Sequence, residues 1–305
     1  MPDDFISLTG LSIERLRSFC QIVEAGSAAL AAKRNGILAG QLSRQIKDLE
    51  KCLGAKLFSR DGKRLKLTPA GVKLAALTNA YFGALRELRE AEGQESKPLR
   101  LGAGDSIVRW ILIPRFPEVL GASGGNLEIG THRTAATLER LENGQLDVGI
   151  IRADAGTDGL DCLVFPTLHY VLMVPRSELP DKSAAGIKTV ATLPFVMLTG
   201  DGQFVRNVNK LAAANGLTLQ IRARVESFGL AVEAAKILNA ATFVPTQAEK
   251  DFPIEQFTPV ILDGIDQMDR PLAVAFDRKT AEFNTRARRF ALRLSRAFES
   301  MPLSI

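Results

Sequence analysis

Between Lys33 and Lys73 the chain carries eleven Lys or Arg residues against Asp48, Glu50 and Asp61, a net charge of +8, while the whole chain carries +5. The rest of the sequence must therefore sum to −3. Within the basic stretch, Arg44, Lys47 and Lys51 recur at helical spacing, with Ser43 beside them and Gly40 one turn earlier. Leu42, Ile46, Leu49 and Leu53 share the opposite face at the same period, so one helix is expected to bury an apolar stripe and turn a cationic ridge outward. The chemistry open to such a ridge is contact with phosphates and base edges, in which released counterions supply affinity. A basic helix face that is merely solvated has the same pattern, and this stretch alone leaves both readings open.

Neighbouring residues supply the elements that would position the ridge. Ser27 and the alanines Ala28, Ala29, Ala31 and Ala32 precede Lys33 and Arg34, and Asn35-Gly36 favours a sharp turn. Two short helices with a corner between them are expected, the alanines letting a second helix approach closely. After Leu53-Gly54, the residues around Leu57-Phe58 and Leu65-Lys66-Leu67 alternate like two strands about an Asp61-Gly62 hairpin turn. Lys56, Arg60, Lys63, Arg64 and Lys66 would decorate that hairpin. Upstream, Ser12 is a good N-cap for a helix whose Ile13, Leu16, Phe19 and Val23 share a face, with Arg15 and Arg17 solvated on the other.

Gly26-Ser27, Lys33-Arg34, Ser43-Arg44-Gln45-Ile46, Leu49-Glu50, Leu53-Gly54, Leu57-Phe58, Arg60, Leu67-Thr68 and Ala70-Gly71 stand in the order and spacing of one family. From about Ile13 to Gly71 the chain resembles the winged helix-turn-helix of LysR-type transcriptional regulators. That resemblance implies double-stranded DNA as a partner. The expected DNA-contacting residues are Ser27, Lys33, Arg34, Gly40, Gln41, Ser43, Arg44, Lys47, Lys51, Arg60, Lys63, Arg64 and Lys66. One departure matters. Where the family opens its recognition helix with Ser, Gln and Pro, this chain has Leu38, Ala39 and Gly40. The missing cap costs about 1 kcal/mol, and base reading is expected to pass to Gln41 and Arg44, with Gly40 letting the backbone approach closely.

Downstream, Leu74, Leu77, Tyr81, Ala84 and Leu88 follow a 3-4-3-4 spacing, the seam of a short coiled coil. A solitary amphipathic helix has the same pattern; the resemblance favours pairing with a second copy, as homodimer or homotetramer. Glu92 to Pro98 is polar with Gly and Pro and reads as a hinge. From Leu99 the pattern becomes strand and helix in alternation. Strands are expected at Pro98–Gly104, Asn126–His132 and Leu146–Arg152, and helices over Ile107–Leu120 and Thr137–Asn143. Leu163–Val174 reads as one long extended run. A second group of elements follows at 195–198, 204–215, 219–225, 230–239 and 241–244. A returning strand at Pro271–Phe276 and a long helix at Thr280–Phe298 close the chain. Repeated strand–helix–strand units imply parallel sheets, here two lobes joined by two crossings with a cleft at the strand ends.

Leu112-Ile113-Pro114, NGQLDVGI at Asn143–Ile150 and Met173-Val174-Pro175 add to the resemblance, which implies a two-lobed effector domain like that of periplasmic binding proteins. The fold class is thus α+β multidomain. A winged helix-turn-helix is expected over 11–71, a linker helix and hinge over 72–97, and an effector domain over 98–305. Within the last, lobe 1 takes about 98–166 and 270–305, and lobe 2 about 167–269. Strand-end loops nominate Asp105, Ser106, Thr131, His132, Arg133, Thr199, Gly202 and Phe228 for effector contact, and Asp105 argues against a simple anionic ligand. Ile237 to Ala241 replaces the family's Gly-rich turn, which bears on that side of the cleft and suggests a ligand-independent repressor as the alternative.

Other chemistry finds little support. His132 and His169 stand far from any nucleophile motif, and no phosphate-loop or metal-ligand spacing is present, so neither an enzyme nor a metal or cofactor is expected. A solute-binding or enzymatic cleft with an accidental basic domain is the rival from another class. Cys20, Cys52 and Cys162 are scattered like packing residues, with redox sensing at Cys162 the alternative. Absent an export signal or membrane-length apolar run, the cytoplasm is the expected location and no membrane partner is foreseen. RNA polymerase is a candidate further partner. In the terminal helix, Arg286, Arg288, Arg289, Arg293 and Arg296 read as a solvated face opposite Phe283, Phe290, Leu294 and Ala297. Trp110 reads as core.

Overall fold

The computed structural model describes residues 11–61, 64–91, 97–179, 192–200, 202–214, 218–278 and 285–299. The chain opens with α1 (Ile13–Ala25), α2 (Ala28–Asn35) and α3 (Ala39–Leu53), followed by the antiparallel ribbon β1 (Phe58–Asp61) and β2 (Arg64–Leu67) and the long helix α4 (Pro69–Ala91). Phe19, Ile22, Ala31, Leu42, Ile46, Leu49, Leu57 and Ala75 form one buried core among these elements. Small side chains serve contact where α2 packs, since Ala31 is fully buried. Each of α1, α2 and α3 ends on a glycine with positive φ, Gly26, Gly36 and Gly54, a conformation that costs glycine little. Gly62 and Lys63, at the hairpin tip, and the hinge residues 92–96 lie outside the described residues.

Beyond the hinge, β3 (Leu99–Ala103), β4 (Leu127–Thr131), β5 (Val148–Arg152), β6 (Leu160–Leu168) and β12 (Arg270–Asp277) make a five-stranded sheet in the order β4-β3-β5-β12-β6. The β3–β4 and β3–β5 pairs are parallel, but β12 runs antiparallel to both β5 and β6. The purely parallel sheet expected from strand–helix alternation is therefore a mixed one. Its β12 arrives from the other lobe rather than by a crossover helix, so the handedness rule does not bind it. The helical segment α5 starts at Asp105–Ile107, widens to a π-turn over Val108–Leu112 and tightens to a 3-10 turn over Ile113–Arg115, where Pro114 cannot donate. It continues as α6 (Phe116–Ser123); α7 (Thr134–Glu142) connects β4 to β5.

The extended run from Leu163 to Val174 is two strands in different sheets. β6 pairs with β12 in lobe 1, whereas β7 (Tyr170–Pro175) lies in lobe 2 between β10 (Thr242–Pro245) and β11 (Phe257–Val260). His169 is the single residue between them, and its Nδ1 lies 2.6 Å from Asp269 Oδ2 at the other crossing. One contact thus clasps both strands that join the lobes. Lobe 2 is completed by β8 (Pro194–Leu198), parallel to β9 (Gln220–Val225), and by α8 (Gln203–Ala214) and α9 (Phe228–Leu238). The terminal helix α10 (Thr285–Glu299) packs Ala287, Phe290, Ala291, Leu294 and Phe298 onto lobe 1, as its apolar spacing required. Phe283 lies outside the described residues.

Candidate nucleic-acid interface and effector cleft

Helix α3 buries Leu42, Ile46 and Leu49 and leaves Gly40, Gln41, Ser43, Arg44, Lys47 and Lys51 exposed. Lys33 and Arg34 are exposed at the last turn of α2, and Lys66 is exposed on β2. Among the described residues, none of these cations has a carboxylate within salt-bridge distance. Their charge remains open to a polyanion. Lys56 differs, because its Nζ reaches Glu50 Oε2 at 2.8 Å. The side chains of Arg60 and Arg64, and Lys63 altogether, lie outside the described residues. Ser27 Oγ accepts from Leu30 N at 3.2 Å, so this expected DNA contact is at work as the N-cap of α2.

Leu38 precedes α3 in extended conformation with no side-chain cap, as its type dictates. No heavy atom lies within 4 Å of where a Gly40 side chain would start, so the start of α3 is open for a second molecule's close approach. Three ties that the sequence pattern did not reveal hold the ridge. Arg15 Nη2 pairs with Asp48 Oδ2 at 3.1 Å, which corrects the expectation that Arg15 is solvated. Ser18 donates to Gln45 Oε1 at 2.5 Å, joining α1 to α3. Glu50 accepts from Leu57 N at 2.8 Å and so links the end of α3 to the wing. Burial works against the Glu50 charge, but Lys56 and the Leu57 N–H outweigh it and hold its carboxyl below the usual range.

The expected pairing seam on α4 divides. Leu74 packs against the core of the winged domain, which corrects its assignment to a partner-facing stripe. Leu77 and Tyr81 are 63% and 44% exposed, with Leu85 beside them at 38%. Ala84 is half-buried, and the side chain of Leu88 lies outside the described residues.

In the two-lobed domain, α5 and the start of α9 face each other across the lobes. Ser106 and Phe228 are buried there, Asp105 is exposed, and Thr199 is half-buried with its N–H donating to Val225 O at 2.7 Å. Gly202 is exposed and its carbonyl starts α8 by accepting from Arg206 N. Thr131, the last residue of β4, and Arg133 just after it are exposed. His132 is turned back over the sheet, since its ring fills the space beside Gly130 and Gly102 that side chains there would need. Burial and the charge of Arg140 lower its pKa. His132 thus packs on the lobe 1 sheet beside Gly102 and Gly130. Ser106 and Phe228 lie where the lobes touch, and Thr131 pairs with Ala103 at the end of β3, the strand that leads into α5.

Residues outside the expected set complete the inter-lobe contact. Trp110 Nε1 donates to Asp251 Oδ2 at 2.9 Å, and Arg109 Nη2 lies 3.3 Å from the same oxygen. Arg109 also packs so closely on Gly229 that a side chain there would fall 2.9 Å from its Nη1. Trp110 is thus both core and clasp. Behind it, Tyr170 packs between Phe204 (4.9 Å) and Phe228 (5.8 Å). Burial pushes the Tyr170 phenol up to about 12. Its hydroxyl has no hydrogen-bond partner among the described residues.

The segment Ile237–Ala241 closes α9 at the end remote from Phe228. Asn239 takes the left-handed conformation (φ 47°) that the family assigns to glycine, and its N–H bonds to Ala235 O. The turn after α9 is thus made by an asparagine in the left-handed region in place of a glycine.

Cys20, Cys52 and Cys162 are unbridged. Burial first, and Asp161 with it, raise the Cys162 thiol pKa, which disfavours the thiolate that redox sensing requires. Among the described residues there is no cluster of metal-ligating side chains, and no helix is long and apolar enough to cross a membrane.

Comparison with known proteins agrees with this geometry. Residues 13–72 match the family described as bacterial regulatory helix-turn-helix protein, lysR family, and residues 92–298 match the LysR substrate binding domain. A probable hydrogen peroxide-inducible genes activator of Mycobacterium avium is 28% identical over 204 residues, which span 65% of this chain and 65% of that protein. Full-length OxyR from Pseudomonas aeruginosa superposes with a TM-score of 0.70 at 16% identity, covering 96% of each chain. Full-length CbnR in complex with its target DNA gives 0.58 at 19% identity, covering 94% of this chain and 100% of that one. At such identities the structural likenesses speak to the fold alone.

Proposed function

The chain belongs to the LysR family of bacterial transcriptional regulators, and from that premise we propose that it binds DNA at specific sites under control of a small molecule held between its two lobes. It acts as a regulator and not as an enzyme. The observation that carries the reading is the ridge of Arg44, Lys47 and Lys51, which is free of carboxylate partners among the described residues and made rigid by the buried Leu42, Ile46 and Leu49. A helix so anchored enters the major groove, while Lys33, Arg34 and the wing lie along phosphates. Gln41 and Arg44 read bases, and Gly40 lets the start of α3 approach the backbone of the duplex. Its place of work is the cytoplasm, where the DNA is.

Ser106 and Arg109 of lobe 1, with Thr199, Phe228 and Asp251 of lobe 2, are the cleft residues that a small-molecule effector meets. A protein named for hydrogen peroxide induction stands among the relatives.

Capture of fragments from the host genome on the purified full-length chain tests the reading. Recovery of a small set of fragments, with affinity falling steeply as salt rises, is expected. A protein that retains no duplex even at low salt would remove its basis.

A further inference from the structure

The turn from α7 to β5, Asn143-Gly144-Gln145, belongs to lobe 1 yet touches the DNA-binding half of the molecule in two places. Gln145 Nε2 donates to Val23 O near the end of α1, at 2.6 Å. Asn79 Nδ2, on α4, donates to Asn143 O at 3.3 Å. Between these bonds Gly144 has φ +64°, and a side chain built there would run into Asn79, its Cβ falling 2.7 Å from Asn79 Cγ. Only glycine meets both the left-handed backbone and the close approach. The same turn is gripped from within lobe 1. Arg100 Nη2 donates to Gly144 O at 2.8 Å, and the guanidinium pairs with Asp147 at 3.1 Å. Burial opposes the Arg100 charge, but Asp147 outweighs it, with Glu24 of α1 contributing across the junction.

We propose that this turn is a regulatory latch, which docks the winged domain and linker helix onto lobe 1 and releases them when an effector moves the cleft lip. The inference rests on the effector-cleft reading and adds the route by which that site is heard. Two elements join the lip to the turn. Helix α7 runs from Thr134, just after Thr131 and Arg133 at the strand end, to Glu142 beside the turn. At 1.5 Å per residue it is a rod of about 13 Å. Thr137 and Leu141 key it tightly onto Gly149 of β5. Strand β3 carries Arg100 at one end and leads at the other into Gly104 and Asp105, the first lip. Packed elements of this kind move as rigid bodies between discrete positions, so a shift at the lip arrives at Gly144 undiminished. There it separates Gln145 from Val23 and Gly144 from Asn79, and the orientation of α1 and α4 is freed.

A reversible lock tests the latch. A Cβ at Gly144 lies 3.3 Å from Asn79 Cβ, within a few tenths of an ångström of the roughly 3.5–4.5 Å that a disulfide spans. In full-length protein carrying Cys162→Ser, the pair Asn79→Cys and Gly144→Cys is oxidised mildly, and the crosslink is mapped by peptide mass spectrometry. A bridge within one chain, formed before any DNA is added, is expected. A folded protein whose introduced thiols stay unbridged would overturn the docking. Oxidised and reduced forms are then compared on the captured genomic fragments, and affinities differing by about fivefold or more are expected. Equal affinities would reduce the contact to packing and sink the regulatory role. Because Gly144→Cys strains the backbone, the half-buried contact pair Asn79→Ala and Gln145→Ala provides a second route. It should shift DNA affinity in the direction opposite to the lock, and no shift counts against the latch. A protein that holds no duplex in any form defeats the DNA-binding reading instead, while bridge formation still decides the docking.

Discussion

Arg44 and Gln41 stand one helical turn apart on the exposed side of α3, and each residue type has a bidentate match on a purine edge in the major groove. Lys66 stands on the wing, where a flexible point charge suits phosphate. The two should therefore fail differently. Arg44→Ala is expected to cost about 1–3 kcal/mol on the captured site and much less on unrelated duplex. Lys66→Ala should weaken both equally and reduce the salt dependence by about one counterion. Titrations of specific and scrambled duplexes at several salt concentrations decide it. A uniform loss for Arg44→Ala would assign that side chain to phosphate and leave base reading to Gln41.

Among the elements, α3 is the one whose sequence leaves a local defect. Leu38 is 78% exposed and offers no acceptor to the first N–H groups of the helix. Leu38→Ser should therefore stabilise the winged domain by about 1 kcal/mol, seen as a raised midpoint in thermal melting. An unchanged or lowered midpoint would mean that Leu38 contributes packing at the helix corner that a cap does not replace. What the sequence made legible follows the same division between local and tertiary causes. The helix periods, the Ser12 cap and the corner at Asn35-Gly36 are local causes, legible in the sequence. The break at His169 was not, because Leu163–Val174 is apolar enough to suit a strand in either sheet, and only the lobe crossing parts them. Arg15 with Asp48, and Trp110 with Asp251, are separated by many residues and carry no spacing signal. The packing of His132 carries no spacing signal either, because the berth for its ring is made by the absent side chains of Gly102 and Gly130.

For the molecule as a whole, α4 decides whether two ridges can act together. Leu77, Tyr81 and Leu85 recur every four residues and leave an apolar stripe in water beside a winged domain already closed by Leu74. Such a stripe is stabilised by a second copy of itself, and a two-fold pair of recognition helices reads half-sites one turn of DNA apart. Leu77→Glu with Tyr81→Glu is expected to yield monomers at micromolar concentration in sedimentation experiments, with the thermal midpoint of the winged core little changed because both positions are exposed. Leu74→Ala should do the reverse, lowering stability by roughly 2–4 kcal/mol at most for a partly buried leucine while leaving the fold of the paired stripe intact. Affinity for a palindromic fragment should fall much further in the Glu variant than affinity for a single half-site, since only the former depends on two linked binding events. If the unaltered protein itself sediments as a monomer, or the Glu variant stays associated, the stripe on α4 is not the surface that pairs the chains.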